Sequence, residues 1–86
     1  MAEDPARILI VDDEPSITEF VSYAMRKEGF TADVASNGED ALQLMNQHAY
    51  DLFVLDIMLP GIDGYELCRR IRAKTSAPVL PPHHVR

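Results

Sequence analysis

The sequence predicts an α/β fold in which helices cover both faces of a doubly wound parallel sheet. Short apolar runs alternate with segments of helical periodicity in the order β-α-β-α-β-α-β, and this alternation is typical of parallel sheets with helical crossovers. The runs at residues 8–11 and 52–55 contain no polar residue, as expected for central strands that are buried on both faces. A chain of 86 residues has room for one such domain.

The composition excludes several classes of function. A formal charge of −6 disfavours direct binding to nucleic acid or to an anionic membrane, since both are negatively charged. No apolar run approaches the ~18 residues that a membrane helix needs, and the first residues do not resemble a signal peptide. The single cysteine, Cys68, excludes an internal disulfide and is typical of a reducing compartment. We therefore expect a cytoplasmic protein.

The first strand and the first helix have the clearest signals. Residues 8–11 form an apolar, β-branched run that stops at Asp12, which predicts a strand. Pro15 suits the first turn of the following helix, and Ser16 with Glu19 predicts a capping box. Apolar residues then recur at helical spacing and predict an inward-facing stripe. The stripe consists of Ile17, Phe20, Val21, Ala24 and Met25.

The second strand and helix are predicted from weaker patterns. Residues 31–35 alternate in polarity around Asp33, as an edge strand does. Ser36, Asn37 and Gly38 form a turn and cap, and acidic residues occupy the first turn of the helix that follows, where the helix dipole favours them. The predicted inward face of this helix consists of Ala41, Leu42, Met45 and Ala49.

The third helix lies between two further strands. Residues 52–55 predict the third strand, residues 60–64 a loop, and Asp63 with Glu66 the start of the third helix. The inward positions of this helix are Leu67, Cys68 and Ile71, and we expect the cysteine to act as a small buried apolar residue. Residues 77–80 begin a fourth strand, which the following prolines interrupt.

Aspartates follow two of the apolar strands. Asp12 and Asp13 follow the first strand, and Asp56 follows the third. Carboxyl ends of parallel strands share one edge of the sheet, so these side chains converge if the two strands are neighbours at a topological switch point. Converging carboxylates repel one another unless some are protonated or a hard cation joins them. Mg²⁺ is the natural cation, and an aspartate beside it can act as a nucleophile towards phosphorus.

Two longer segments carry a resemblance to a known family. They are IVDDEP at residues 10–15 and DLFVLDIMLPGIDGYE at residues 51–66. Both are similar to the signature of the response-regulator receiver domains of two-component systems, and the likeness extends from about Ile8 to Leu80. The stretch 55–72 most resembles receivers of winged-helix transcriptional regulators. The resemblance implies a flavodoxin-like sheet in which the first strand lies between the second and the third.

The resemblance also implies a function and roles for individual residues. Asp56 would take a phosphoryl group from a sensor histidine kinase, which makes the chain a phosphoacceptor module in a phosphorelay rather than an enzyme. Asp13 and Asp56 would bind Mg²⁺ directly, and Asp12 would act mostly through water. The main-chain carbonyl of Met58 would complete the site.

The resemblance stops at Leu80. Pro81 and Pro82 stand where the family has apolar strand residues, and His83 stands where it has a serine or threonine. We therefore expect residues 1–80 to form a partial receiver domain and 81–86 a divergent tail, without the fourth helix, the fifth strand with its lysine, or the fifth helix. Loss of one such preorganised group typically costs about 10²–10³ in rate.

The expected truncation has a consequence for stability. In the family the fifth helix covers the same sheet face as the first helix, so we expect an exposed sheet face and an open strand edge here. Open apolar sheet surfaces invite association. The sequence therefore predicts weak folding and self-association.

Two other functions remain open. A degenerate receiver would dock a kinase or another partner without productive switching. An Mg²⁺-dependent phosphohydrolase with an aspartate nucleophile would carry a second acid two residues later, but Met58 occupies that position and the expected general acid–base is missing. The phosphoacceptor module is the interpretation that we favour.

Overall fold

Within the described residues, four strands and three helices alternate along the chain. A computed structural model describes residues 5–56, 59 and 62–80. The elements in chain order are β1 (Arg7–Val11), α1 (Pro15–Lys27), β2 (Thr31–Ala35), α2 (Gly38–Gln47), β3 (Leu52–Leu55), α3 (Gly64–Lys74) and β4 (Val79–Leu80). The predicted order is confirmed. The predicted boundary between the domain and the tail stays a prediction, because residues 81–86 lie outside the described residues.

The strands form one parallel sheet in the order β2-β1-β3-β4. This order confirms the doubly wound class, with β1 between β2 and β3 at the switch point. Val11 is level with both Ala35 and Leu55 in the register. The carboxyl ends of the three strands therefore lie side by side.

Each face of the sheet has its own core, because side chains alternate along a strand. One core lies between the sheet and helices α2 and α3, and it includes Leu9, Phe53, Leu55, Leu67 and Ile71. The other lies against α1, and it includes Ile8, Ile10, Val21, Ala32 and Val54. The predicted inward residues of α3 are confirmed, with Cys68 half-buried against the first core.

Helix α1 departs from its predicted capping and from its predicted inward face. Glu14 is the N-cap residue and makes no side-chain cap hydrogen bond, so the capping box of Ser16 and Glu19 is wrong. Pro15, as the first helical residue, places Ser16 inside the helix. Phe20 is 52% exposed, which corrects its assignment to the inward stripe.

Small polar residues take the place of Phe20 on the buried side of α1. Thr18 and Ser22 are buried together with Val21. The Thr18 hydroxyl donates to the carbonyl of Pro15 at 3.1 Å, and the Ser22 hydroxyl donates to that of Glu19 at 3.3 Å. Because both hydroxyls are satisfied within the helix, their burial leaves no unpaired donor.

Two predicted boundaries shift in the structure. Helix α2 ends at Gln47, so Ala49 lies beyond it and is exposed, which corrects its place on the inward face. Strand β4 starts at Val79 rather than at Ala77, because Pro78 has no N–H to donate to the ladder. No helix in the described part of the chain combines the length and the apolar character needed to cross a membrane.

The α1 face of the sheet is covered at its centre. Ile8, Ile10 and Val54 are almost completely buried there, which corrects the expectation of an exposed sheet face at these positions. The physical reason is that Ile17 and Met25 of α1 pack against this core. Self-association stays a prediction.

A polar cluster ties the start of β1 to β2 and to the residues before β3. The Asp33 carboxylate accepts a hydrogen bond from the Arg7 guanidinium and another from the Tyr50 hydroxyl, both at 2.7 Å. Burial alone would raise the pKa of Asp33, but these hydrogen bonds and the charge of Arg7 hold that pKa below its ordinary value. The ionised carboxylate therefore stabilises the fold.

Replacement of Asp33 by Asn should lower the free energy of unfolding by about 1–3 kcal/mol near neutral pH, since it removes a charged acceptor with two donors. The folded pKa of Asp33 lies below the unfolded pKa of about 3.9. The contribution of the Asp33 carboxylate to the free energy of unfolding is therefore fully present above the unfolded pKa, and it is lost as the pH falls through the folded pKa. Urea unfolding should therefore show a difference that shrinks towards acid pH. The control Asp40→Asn, in the exposed first turn of α2, should change stability by no more than about 0.5 kcal/mol. A difference that is the same at all pH values would contradict this account.

Candidate functional site

Three carboxylates meet at the carboxyl edge of the sheet. Asp12 and Asp13 follow β1, and Asp56 follows β3. One carboxylate oxygen from each residue lies within 4.8 Å of the other two. Asp12 is 4% exposed, Asp56 is half-buried and Asp13 is exposed, so the cluster runs from the interior of the edge out to solvent.

Main-chain hydrogen bonds fix the backbone of this cluster. The Asp12 N–H donates to the carbonyl of Ala35 at 3.1 Å, and the Asp56 N–H donates to that of Val11 at 3.0 Å. These bonds continue the parallel ladder one residue past the ends of the strands. The position of the site is therefore set by strand pairing.

Glu14 orients the most buried carboxylate. The Glu14 N–H donates to Asp12 Oδ1 at 2.9 Å, and Glu14 then caps α1. This role of Glu14 was not predicted from the sequence. The signal in the sequence is that Asp12 lies two residues before Glu14, since Asp side chains commonly accept a hydrogen bond from the backbone N–H two residues on.

The electrostatics of the cluster are repulsive. Burial raises the pKa of Asp12 above its ordinary value, and the negative charge of Asp56 is the strongest of the neighbouring charges that raise it further. The hydrogen bond from the Glu14 N–H opposes this rise. A cation held among the three carboxylates would remove the repulsion.

The donor set fits a hard divalent cation. Carboxylate oxygens are the ligands that Mg²⁺ prefers in proteins, and two oxygens bound to one Mg²⁺ lie at most about 4.2 Å apart. The three oxygens lie within 4.8 Å of one another, so their spacing is compatible with one shared cation that is bound directly or through water.

The structure brings together the three acidic residues that the sequence singles out: Asp12, Asp13 and Asp56. Their individual roles stay predictions. The predicted main-chain ligand at Met58 lies outside the described residues, and so do Pro60, Gly61 and the tail with His83.

Comparisons with known proteins identify the class. The response regulator protein TrrA from Thermotoga maritima, solved in complex with Mg²⁺-BeF, is 44% identical with a TM-score of 0.81, over 88% of this chain and 67% of that one. The complex of TrrA with the histidine kinase ThkA gives 45% identity and a TM-score of 0.78, over 86% of this chain and 65% of that one. The fold is that of the CheY-like α/β receivers.

The sequence comparisons agree with the structural ones. Residues 8–81 match the family of the response regulator receiver domain. Response regulator ArlR from Staphylococcus epidermidis is 41% identical over 73 residues, which is 85% of this chain and 33% of that protein. The transcriptional regulatory protein TcrA from Mycobacterium tuberculosis is 45% identical over 75 residues, which is 86% of this chain and 30% of that protein.

The chain belongs to the response regulator receiver domain family of two-component systems. This confirms the resemblance found in the sequence. The chain spans about one third of the length of the curated relatives that it matches.

Replacement of Asp56 by Asn should stabilise the fold in metal-free buffer. Loss of one charge from the cluster relieves the repulsion on Asp12. The free energy of unfolding should rise by about 1 kcal/mol, which is the interaction energy of two screened charges some 4 Å apart. The pKa of Asp12 is higher in the folded state than in the unfolded state. The free energy of unfolding therefore falls as the pH rises from the unfolded pKa to the folded pKa.

Urea unfolding in the presence of a chelator measures this difference. Asp56→Asn should raise the free energy of unfolding more at about pH 7 than at about pH 4, where Asp12 is already partly protonated. The control Asp40→Asn removes a charge outside the cluster and should give no such gain. An Asp56→Asn variant that is less stable than the parent chain at neutral pH would refute the repulsive account.

Proposed function

We propose that this receiver domain accepts a phosphoryl group on Asp56, with Mg²⁺ bound beside it, as one step of a phosphorelay. The observation that carries the proposal is the cluster of Asp12, Asp13 and Asp56 at the switch point of the sheet. A hydrogen bond to Val11 fixes the backbone of Asp56. The residue is half-buried, so its carboxylate is accessible from solvent. The domain acts in this scheme as a phosphoacceptor and not as an enzyme.

Each acidic residue has a distinct task. Asp13, which is exposed, and Asp56 would hold the cation directly, while Asp12 would act through water. When bound, Mg²⁺ offsets the negative charge of the incoming phosphoryl group. The solved complex of TrrA with Mg²⁺-BeF supports this choice of cation.

The proposed chemistry is a nucleophilic displacement at phosphorus. A carboxylate oxygen of Asp56 forms a bond to the phosphorus atom of a phosphohistidine. The bond between phosphorus and the histidine nitrogen breaks, and that nitrogen keeps the electron pair. The hydrogen bond from the Asp56 N–H to the carbonyl of Val11 holds the attacking residue in place. This lowers the entropic part of the activation barrier.

A sensor histidine kinase is the partner that we propose. The complex of TrrA with ThkA supports this type of partner. Helix α1 begins at Pro15, two residues after Asp13, so a protein that docks on α1 lies next to the site. On this helix Phe20 and Tyr23 are 52% and 66% exposed, and exposed aromatic residues are typical anchors of protein interfaces.

We propose regulation of transcription as the output, because TcrA is a transcriptional regulatory protein. The net charge of −6 argues against direct contact of this domain with nucleic acid. The free thiol of Cys68 suits the reducing cytoplasm, where we place the function.

Incubation with acetyl phosphate and Mg²⁺ should add one phosphoryl group to the chain. Intact-mass spectrometry should detect the adduct in the parent chain and in Asp40→Asn, but not in Asp56→Asn or in metal-free buffer. The variant Asp13→Asn should need a Mg²⁺ concentration about 10-fold higher or more, since it lacks a proposed ligand. Absence of the adduct in the parent chain, or its persistence in Asp56→Asn, would rule the proposal out.

Replacement of Phe20 by Ala should separate kinase docking from the chemistry at Asp56. Phosphoryl transfer from phosphorylated ThkA should slow by about tenfold or more, as expected when an aromatic anchor is lost, while modification by acetyl phosphate should be unchanged. The matched control Phe30→Ala removes an exposed phenylalanine that lies outside α1 and should affect neither rate. Equal transfer rates for the Phe20 and Phe30 variants would exclude α1 as the docking surface.

A further inference from the structure

We infer that Gly38 is a positioning residue for the phosphoacceptor site. Because residue 38 has no side chain, Ile62 packs directly on the start of α2, three residues after Ala35, whose carbonyl accepts a hydrogen bond from the Asp12 N–H. The inference rests on the function proposed above, in which Asp56 accepts a phosphoryl group beside Mg²⁺.

The contact between Gly38 and Ile62 leaves no room for a methyl group. A Cβ atom on residue 38 would lie 2.9 Å from Ile62 Cβ, 3.1 Å from the Ile62 carbonyl oxygen and 3.4 Å from Ile62 Cγ2. The first two atoms belong to or adjoin the backbone, so rotation of the Ile62 side chain does not relieve the contact. The φ angle of Gly38 is not positive, so the requirement for glycine here is one of space and not of backbone conformation.

Ile62 is one of three described anchors in the connection between β3 and α3. Leu59 is buried in the core beneath α2 and α3, and Ile62 packs against the same core. Asp63 ends the connection by capping α3, where its carboxylate accepts from the Glu66 N–H at 2.8 Å. Ile62 also meets the start of α2.

A methyl group at residue 38 would therefore displace the start of α2, because Ile62 is held by the core and by the neighbouring cap of α3. Residue 38 lies three residues after Ala35, whose carbonyl accepts a hydrogen bond from the Asp12 N–H at 3.1 Å. The displacement therefore acts on the backbone that positions Asp12, one of the three acidic residues of the site. Residues that hold metal ligands in place typically affect metal affinity by about 10–100-fold.

A titration of the ¹⁵N-labelled chain with Mg²⁺, followed at the amide resonances of Asp12 and Asp13, tests this inference. Gly38→Ala should bind Mg²⁺ about 10-fold more weakly than the parent chain. Gly29→Ala is the matched control, because Gly29 has a φ of 96° and nothing within 4 Å of its would-be Cβ. It follows the end of α1, a helix of 13 residues that extends about 20 Å from the site. Alanine there strains the backbone and should lower the thermal midpoint with no change in Mg²⁺ affinity.

The outcomes separate positioning from general destabilisation. Equal Mg²⁺ affinities for Gly38→Ala and the parent chain would overturn the inference, and so would equal losses in the two glycine variants. If Gly38→Ala does not fold, Ile62→Gly takes its place, since it removes the Cβ and Cγ2 atoms of Ile62 that contact the start of α2 and should also weaken Mg²⁺ binding. Unchanged affinity in Ile62→Gly would overturn the inference as well. A parent chain that does not bind Mg²⁺ would overturn both the proposed function and this inference.

Discussion

Parallel pairing of β1 with both β2 and β3 is the constraint on which the site depends. It makes the ends of the strands level, and the ladder continues past them through the bonds of Asp12 to Ala35 and of Asp56 to Val11. Acidic residues that are far apart in the chain thus share one edge of the sheet. The helices contribute mainly by burying the two faces of the sheet, and so by keeping this register.

The same arrangement of strands places acidic residues where their repulsion destabilises the fold. Asp12 is buried beside two other acids, and its raised pKa records the resulting electrostatic cost. In the middle of edge strand β2, Asp33 has the reverse environment, since Arg7 and Tyr50 both donate to it. The Asp33 carboxylate therefore stabilises the fold, while the acids at the carboxyl edge repel one another and favour a cation.

The strands and helices could be predicted from the sequence because the apolar runs and the cap residues are local signals. The acidic cluster could be predicted only with the strand order that the resemblance supplied. Two local rules failed in α1: the N-cap is Glu14, before Pro15, and Thr18 and Ser22 are buried with satisfied hydroxyls while Phe20 is exposed. The close approach of Gly38 to Ile62 was beyond prediction, since it depends on a distance between two separate connections.

Helix α1 divides its larger side chains between two sides. Aliphatic residues and the hydroxyl-bearing residues Thr18 and Ser22 are on its buried side, while Phe20 and Tyr23 are exposed to solvent. The outward aromatic residues are therefore nearly independent of the folding core, and their identity can change without repacking it. Related signalling pathways in one cell need partners that do not cross-react, and a surface of this kind lets such discrimination evolve separately from the stability of the domain.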